Sequence, residues 1–410
     1  MPNLPFDILF DIIEEIGTQE RPDFDLLWAF CSTCRPLRPH AQKFLFQSLS
    51  FDFIANSRPH PFGRSIGISW NHVDFIVRGS PQVAVCVQYL QFRAPSSTDI
   101  SPAFVSLLSK FTALRTLRCG YANQHAWHLL EAPEKRRWES VIQLPSLRTL
   151  EILDLWRIPV SVLFSCTNLQ DLYFDIQSAF DEPDLEGGLN DISHLPLRNL
   201  TSIRTDWHFD FLDPLFTVYP LIGVPLVEKS SITCLSICRM WDIECRKFGQ
   251  FPSLRSLSVD LSQLINPSSL FTNSNPSLLQ SLDKLSMEFV WDSKFTIVFP
   301  SMVLVAALQI QDGFCSLTGV VVTLVFSWGD YPLFKDGVKG ELGALDHLFA
   351  STSTFPRLHS VTVMLKFNAN SLMEEVTRFW IEDTDMIDEY LPLTAARPDC
   401  TLVPLVHLSL

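Results

Sequence analysis

Leu147-Arg148-Thr149-Leu150-Glu151-Ile152 and Leu169-Gln170-Asp171-Leu172-Tyr173-Phe174 decide how this chain is read. Both have the form apolar-x-x-Leu-x-apolar. The same form recurs at Leu114–Cys119, Ile232–Ile237, Leu254–Val259, Leu282–Met287, Leu358–Val363 and Leu405–Leu410. Leu200-Thr201-Ser202-Ile203 is a variant that has lost its last apolar position. Turn formers precede many of them, as in Leu144-Pro145-Ser146, Phe251-Pro252-Ser253 and Phe355-Pro356-Arg357, and a proline there marks a turn entering a strand. Each short alternating segment predicts a strand with one apolar face. Such a face is buried only by its neighbours when units stack.

The spacing resembles leucine-rich repeats. Leu150 and Leu172 lie 22 residues apart, as do Leu235 and Leu257, whereas Leu117 and Leu150 are 33 apart. The expected fold is therefore α/β: an irregular leucine-rich-repeat solenoid over residues 86–410, with unequal outer segments. Asn123–Ser140 and Asn370–Tyr390 are candidate outer helices, and the usual Asn ladder is not visible. The alternative is an ordinary α/β domain with several parallel strands. In the solenoid the residues between the leucines point away from the core. They include Thr116, Arg118, Thr149, Glu151, Asp171, Tyr173, Asp175, Asp260, Lys284 and Glu288. Acids predominate, so the expected concave face would bind a neutral-to-basic target segment through Glu151, Asp171, Asp175, Asp260 and Glu288, with Tyr173 as aromatic anchor. The competing reading is that these charges only keep the face soluble.

Composition narrows the classes. The chain has 410 residues, 47% hydrophobic and 19% charged, with 31 Lys+Arg against 45 Asp+Glu and a net charge of −14. That supports a large core and argues against general nucleic-acid binding, which needs clustered cations. No apolar run approaches the ~18–20 residues of a membrane helix. The longest, Met302–Leu308 and Val320–Phe326, have the length of buried strands. Asp7, Asp11, Glu14 and Glu15 stand where a signal peptide needs a basic start and an apolar centre. The expected location is cytoplasmic and/or nuclear, with the ten cysteines as thiols.

Residues 1–50 read as three helices. Pro5 suits a first helical position, and Ile8, Leu9, Ile12, Ile13 and Ile16 form an apolar face opposite Asp7, Asp11, Glu14 and Glu15. A second helix is expected over Asp23–Cys34, ended by Pro36, and a third after Pro39 through Phe46. So small a unit is marginal alone. Leu4, Pro5, Ile8, Leu9 and Ile12 are left available to a partner, unless the unit is simply the cap of the larger domain. Residues 51–85, with Asn56-Ser57-Arg58-Pro59-His60-Pro61, read as a linker or docking segment.

Leu4-Pro5-x-Asp7-Ile8-Leu9-x-x-Ile12, Leu26, Cys34-Arg35-x-Leu37-Arg38 and Phe44-Leu45-Phe46 together resemble an F-box, in particular that of fungal F-box-like proteins with irregular leucine-rich repeats. The resemblance covers about residues 3–50. It implies docking onto the Skp-class linker of a cullin-type ubiquitin ligase through Leu4, Pro5, Ile8, Leu9, Ile12, Leu26, Cys34 and Leu37. Where many F-boxes carry Trp after the Cys-Arg pair, this chain has Leu37-Arg38-Pro39.

Motifs that suggest chemistry are few. Gly63-Arg64-Ser65-Ile66-Gly67 matches a nucleophile elbow, but Pro59-His60-Pro61 before it cannot be a central strand. Cys31-x-x-Cys34 lies on an apolar helix face and reads as core thiols. Cys234, Cys238 and Cys245 could suggest a site, but Cys234 and Cys238 fall within or just beyond one repeat strand. His125 and His128 flank Trp127 on an expected helix, without a third ligand. The carboxylates Asp181–Glu186 and Asp383–Glu389 read as solvated charge. The expected function is a non-enzymatic substrate adaptor without cofactor or metal. Its head would bind the Skp-class linker and its repeats a target protein. The alternative is a leucine-rich interaction scaffold with no ligase role.

Overall fold

The repeat segments become parallel strands, because the leucines can leave water only by stacking on the equivalent leucines of the neighbouring segments. The computed structural model describes residues 5–19, 22–33, 35–52, 66–96, 99–175, 180–181, 197–206, 212–218, 223–238, 248–261, 281–291, 301, 304–305, 316–327, 331–368 and 391–409. The strands are β1 (Ser48–Asp52), β2 (Ile66–Ile68), β3 (Tyr89–Ala94), β4 (Thr116–Ala126), β5 (Thr149–Trp156), β6 (Ile158–Pro159), β7 (Asp171–Phe174), β8 (Phe180–Asp181), β9 (Ser202–Thr205), β10 (Cys234–Ile237), β11 (Ser256–Asp260), β12 (Lys284–Trp291), β13 (Gly319–Ser327), β14 (Ser360–Asn368) and β15 (Thr401–Ser409). The chain divides into two compact units. One holds Met1–Leu200 with Pro214–Val227, and the other holds Thr201–Asp213 with Glu228–Leu410.

In the first unit the strand order is β2-β1-β3-β4-β5-β7. Leu49, Leu90, Leu117, Leu150 and Leu172 stand side by side in one row, and all are buried. Phe51, Phe92, Cys119, Ile152 and Phe174 form the next row, also buried. In the second unit the order is β9-β10-β11-β12-β13-β14-β15, and its row runs Ile203, Leu235, Leu257, Leu285, Val320, Val361, Leu402. Thr205, completely buried, takes the lost apolar place of the variant repeat. Truncating one such leucine to alanine typically costs about 2–5 kcal/mol.

Most strands of the ladder are entered in the same way. Two successive N–H groups donate to one carbonyl of the preceding segment: Arg115 and Thr116 to Gln88, Arg148 and Thr149 to Arg115, Gln170 and Asp171 to Arg148. The second unit repeats the device at Arg255 and Ser256 to Thr233, Asp283 and Lys284 to Arg255, and His359 and Ser360 to Thr318. This regular pairing gives a mixed α/β structure with a long parallel ladder that resembles a leucine-rich-repeat solenoid.

Several expectations change. The ladder starts earlier than residue 86. Gln88 and Tyr89 donate to Gln47 O, and Phe46-Gln47-Ser48-Leu49-Ser50-Phe51 takes the repeat register in β1. The stretch read as a linker contributes β2, a helix over Trp70–Gly79 and a 3-10 turn at Pro81–Cys86. In β15 the core register falls on Leu402 beside Val361. Leu408, which the spacing puts in that row, pairs instead with Phe367, so the last repeat lies six residues before its apparent position. A short Asn ladder does exist: the Asn168 amide donates to Pro145 O and that of Asn199 to Thr167 O, both at 2.9 Å. Leu304 and Val305 are helical rather than strand. The outer helix expected over Asn123–Ser140 begins only at Ala132, because β4 runs on to Ala126. Asn370–Tyr390 lies outside the described residues. No helix among the described residues is long and apolar enough to cross a membrane.

Candidate functional site

The head consists of α1 (Phe6–Thr18), α2 (Phe24–Thr33) and α3 (Arg38–Leu45). Pro5 is the residue before α1 rather than its first member; its extended ψ of 145° turns the chain into the helix. The Asp23 carboxylate accepts the Leu26 N–H at 3.0 Å and caps α2. The apolar stripe of α1 is too wide for one interface, and packing divides it. Ile13 and Ile16 are buried, Leu9 is half-buried, and Ile8 and Ile12 remain 44% and 37% exposed. Pro5 is exposed, and Phe6, Leu26 and Trp28 are 50%, 40% and 41% exposed. The head's own core is Leu27, Cys31, Leu37, Ala41, Phe44 and Leu45. Gly17 lies flat against the Phe44 ring, where any Cβ would collide.

Leu37 is 3% exposed, so it holds α2 and α3 together and offers no partner surface in this conformation. That corrects its assignment as a contact. Leu4 and Cys34 lie outside the described residues. The exposed candidates are thus Pro5, Ile8, Ile12 and Leu26. Phe6 and Trp28 join them; they were passed over because they fall outside the motif positions, although their size on a short helix was the available signal.

The second candidate surface is the sheet face opposite the leucine rows. Period 2 holds: Thr116, Arg118, Thr149, Glu151, Asp171, Tyr173, Ser256, Ser258, Asp260 and Glu288 are half-buried between buried leucines. In the first unit, Thr116-Thr149-Asp171 and Arg118-Glu151-Tyr173 form rows across β4, β5 and β7. The acidic character is less free than charge counting implies. Arg118 lies 3.4 Å from Glu151, and Lys366 lies 3.9 Å from Glu288. Asp171 accepts the Thr149 hydroxyl at 3.3 Å. Asp175 is buried and accepts the Asp154 N–H with both oxygens at 3.1 Å. It holds a turn rather than a partner. A cationic segment would therefore compete with cations already present. Burial, reinforced by Asp175, raises the Asp154 carboxyl above its ordinary value, while Arg93 opposes the shift. Burial also raises the Tyr89 phenol beside Arg118 and Glu151.

Among the described residues the remaining chemical candidates give no assembled centre. Cys31 is buried, its thiol directed at Arg38 O, and burial pushes it up to about 11. Cys238 donates to the Asp206 carboxylate at 3.0 Å, and burial holds its thiol at about 12. His125 is in β4 against the Tyr121 ring and His128 is in a 3-10 turn, so they do not share the helix that would have paired them. Ser65, Cys245, Glu182–Glu186 and Asp383–Glu389 lie outside the described residues. Among the described residues no group of three or more His, Cys, Asp or Glu is placed to hold a metal ion.

No family model matches the chain, and no curated protein matches it. Among solved structures it is similar to an internalin (inlF) from Listeria monocytogenes. The identity is 12% over 97% of this chain and 92% of that one, with a TM-score of 0.32.

Proposed function

We propose that this chain is a substrate adaptor of a cullin-type (SCF) ubiquitin ligase, its head docking the Skp-class linker and its repeat ladder holding a target protein. The observation that carries the reading is the exposed apolar edge of the head, Phe6, Ile8, Ile12, Leu26 and Trp28. A helix pair that served only as a cap would turn these residues onto the repeats. Left in water they cost solubility, and a partner recovers that free energy on binding. The adaptor needs no chemistry of its own, because holding a target near a charged carrier raises effective concentration.

The test is co-purification of the full chain with a Skp-class linker, beside an Ile8→Asp/Ile12→Asp double variant. Both positions are exposed, so the variant should fold like the wild type by circular dichroism while capture falls by about 100-fold or more. Absence of capture by the folded wild type overturns the reading. The second reading is a leucine-rich interaction scaffold whose head only closes the ladder. It is favoured by the burial of Leu37 and by the direct continuation of α3 into β1, which make the head and the first repeats one packed body.

A further inference from the structure

Strand β5 ends in an unusual way. Asp154 and Arg157 both have left-handed backbone, φ 52° and 58°, and neither is glycine. Such a conformation costs about 1–2 kcal/mol per residue and persists only where the surroundings impose it. The surroundings do impose it. Asp175 takes the Asp154 N–H, Arg93 stands 3.6 Å from the Asp154 carboxylate, and Leu155 and Ile158 are buried on either side.

What this rigid turn presents outward is Trp156, 36% exposed, with the Arg157 guanidinium 4.9 Å from its ring centroid. Trp156 pairs with Ala126 at the end of β4. The 3-10 turn Trp127–Leu129 follows directly and packs against β6. It carries Leu129, 69% exposed. A tryptophan, an arginine and a leucine thus share one rim, on backbone held in place before any partner arrives. Trp and Arg are the residues that dominate binding hot spots. A guanidinium stacked on an indole keeps its N–H edge free for the two oxygens of a carboxylate. Among the described residues no carboxylate lies within ion-pair distance of Arg157.

We propose that this rim, at Leu129, Trp156 and Arg157, docks a partner protein segment that carries a carboxylate side chain beside an apolar one. The charge preference is the opposite of that expected for the acidic sheet face, so the two surfaces are separable. The inference does not rest on the ligase reading, and its test omits the linker.

The full chain is applied to an array of ten-residue peptides in which Asp or Glu neighbours Leu, Ile or Phe, each beside a copy with Asn or Gln in place of the acid. The wild type should retain acidic peptides about ten-fold more strongly than their amide copies, and less so as salt rises. Arg157→Glu should abolish that preference. Trp156→Ala should weaken retention of all bound peptides, and Arg157→Lys should give an intermediate result. Both residues are exposed, and unchanged thermal melting verifies that the variants fold. Equal retention of acidic and amide copies, retention of neither, or an undiminished preference in Arg157→Glu overturns the proposal.

Discussion

Tyr121→Phe isolates one buried hydrogen bond without disturbing the packing around it. Trp138 is on the helix α4 (Ala132–Ile142). Its indole N–H donates to the Tyr121 hydroxyl of β4 at 2.6 Å, and both residues are 1% exposed. The Trp138 ring also stacks on Phe92, with centroids 6.0 Å apart. Burial raises the Tyr121 phenol to about 12, as expected for a hydroxyl that cannot shed its proton into a dry site. Phenylalanine keeps the ring contacts and removes only the acceptor, so the cost is that of stranding a buried N–H, about 1–3 kcal/mol. In a unit of about two hundred residues, 2 kcal/mol corresponds to a fall in Tm of roughly 4–8 °C. Urea denaturation followed by far-ultraviolet circular dichroism measures it, and hydrogen exchange along Ala132–Ile142 localises it. Trp138→Phe removes the donor as well as ring volume, and in the Tyr121→Phe background it should cost about 1 kcal/mol less than alone. A Tyr121→Phe change below about 0.5 kcal/mol, or strict additivity in the cycle, refutes the reasoning.

Two further perturbations test the ladder. Gly120 lies where the pairing of β4 with β5 shifts, and a Cβ there would run into the backbone carbonyl of Leu153; Gly120→Ala should therefore destabilise the first unit by about 3 kcal/mol or more, read as loss of soluble protein or a much lower Tm. Glu341, buried in the helix Tyr331–Ala350, accepts the Ser301 N–H and hydroxyl, yet burial raises its carboxyl above the ordinary value. Its folded-state contribution is therefore complete below the ordinary carboxylate range and is lost as pH rises through the raised value, so Glu341→Gln should gain relative stability at pH 7 over pH 4. A pH-independent difference between the two melting curves would contradict this.

Legibility followed locality. The apolar-x-x-Leu-x-apolar spacing revealed the strands because one strand's face is written in six consecutive residues. Phe46–Phe51 and Val87–Phe92 carry the same spacing with aromatic residues; the first was missed because Phe46 was read as the end of the third head helix, and the second was passed over although Leu169–Phe174 ends in the same way. The last repeat was misplaced because Leu405–Leu410 fits the spacing whereas Asp399–Pro404 does not, and only pairing with Val361 puts Leu402 in the row. At the candidate sites, the helical pattern marks the whole α1 stripe as apolar but does not separate exposed Ile8 and Ile12 from buried Ile13 and Ile16. The burial of Leu37 and Asp175 does not follow from any local pattern.

The sequence by itself determined most of the repeat strands, which of their faces is apolar and where the three head helices lie. Periods of 2 and 3.6 are set by backbone geometry and are legible one element at a time. Tertiary structure alone decided which part of the α1 stripe stays in water, which acids are already neutralised by Arg118 and Lys366, and that Trp156 and Arg157 stand outward on a left-handed turn. These depend on residues 30 or more positions away in the chain or on a neighbouring strand, and side-chain competition for space and charge is resolved only when those neighbours arrive.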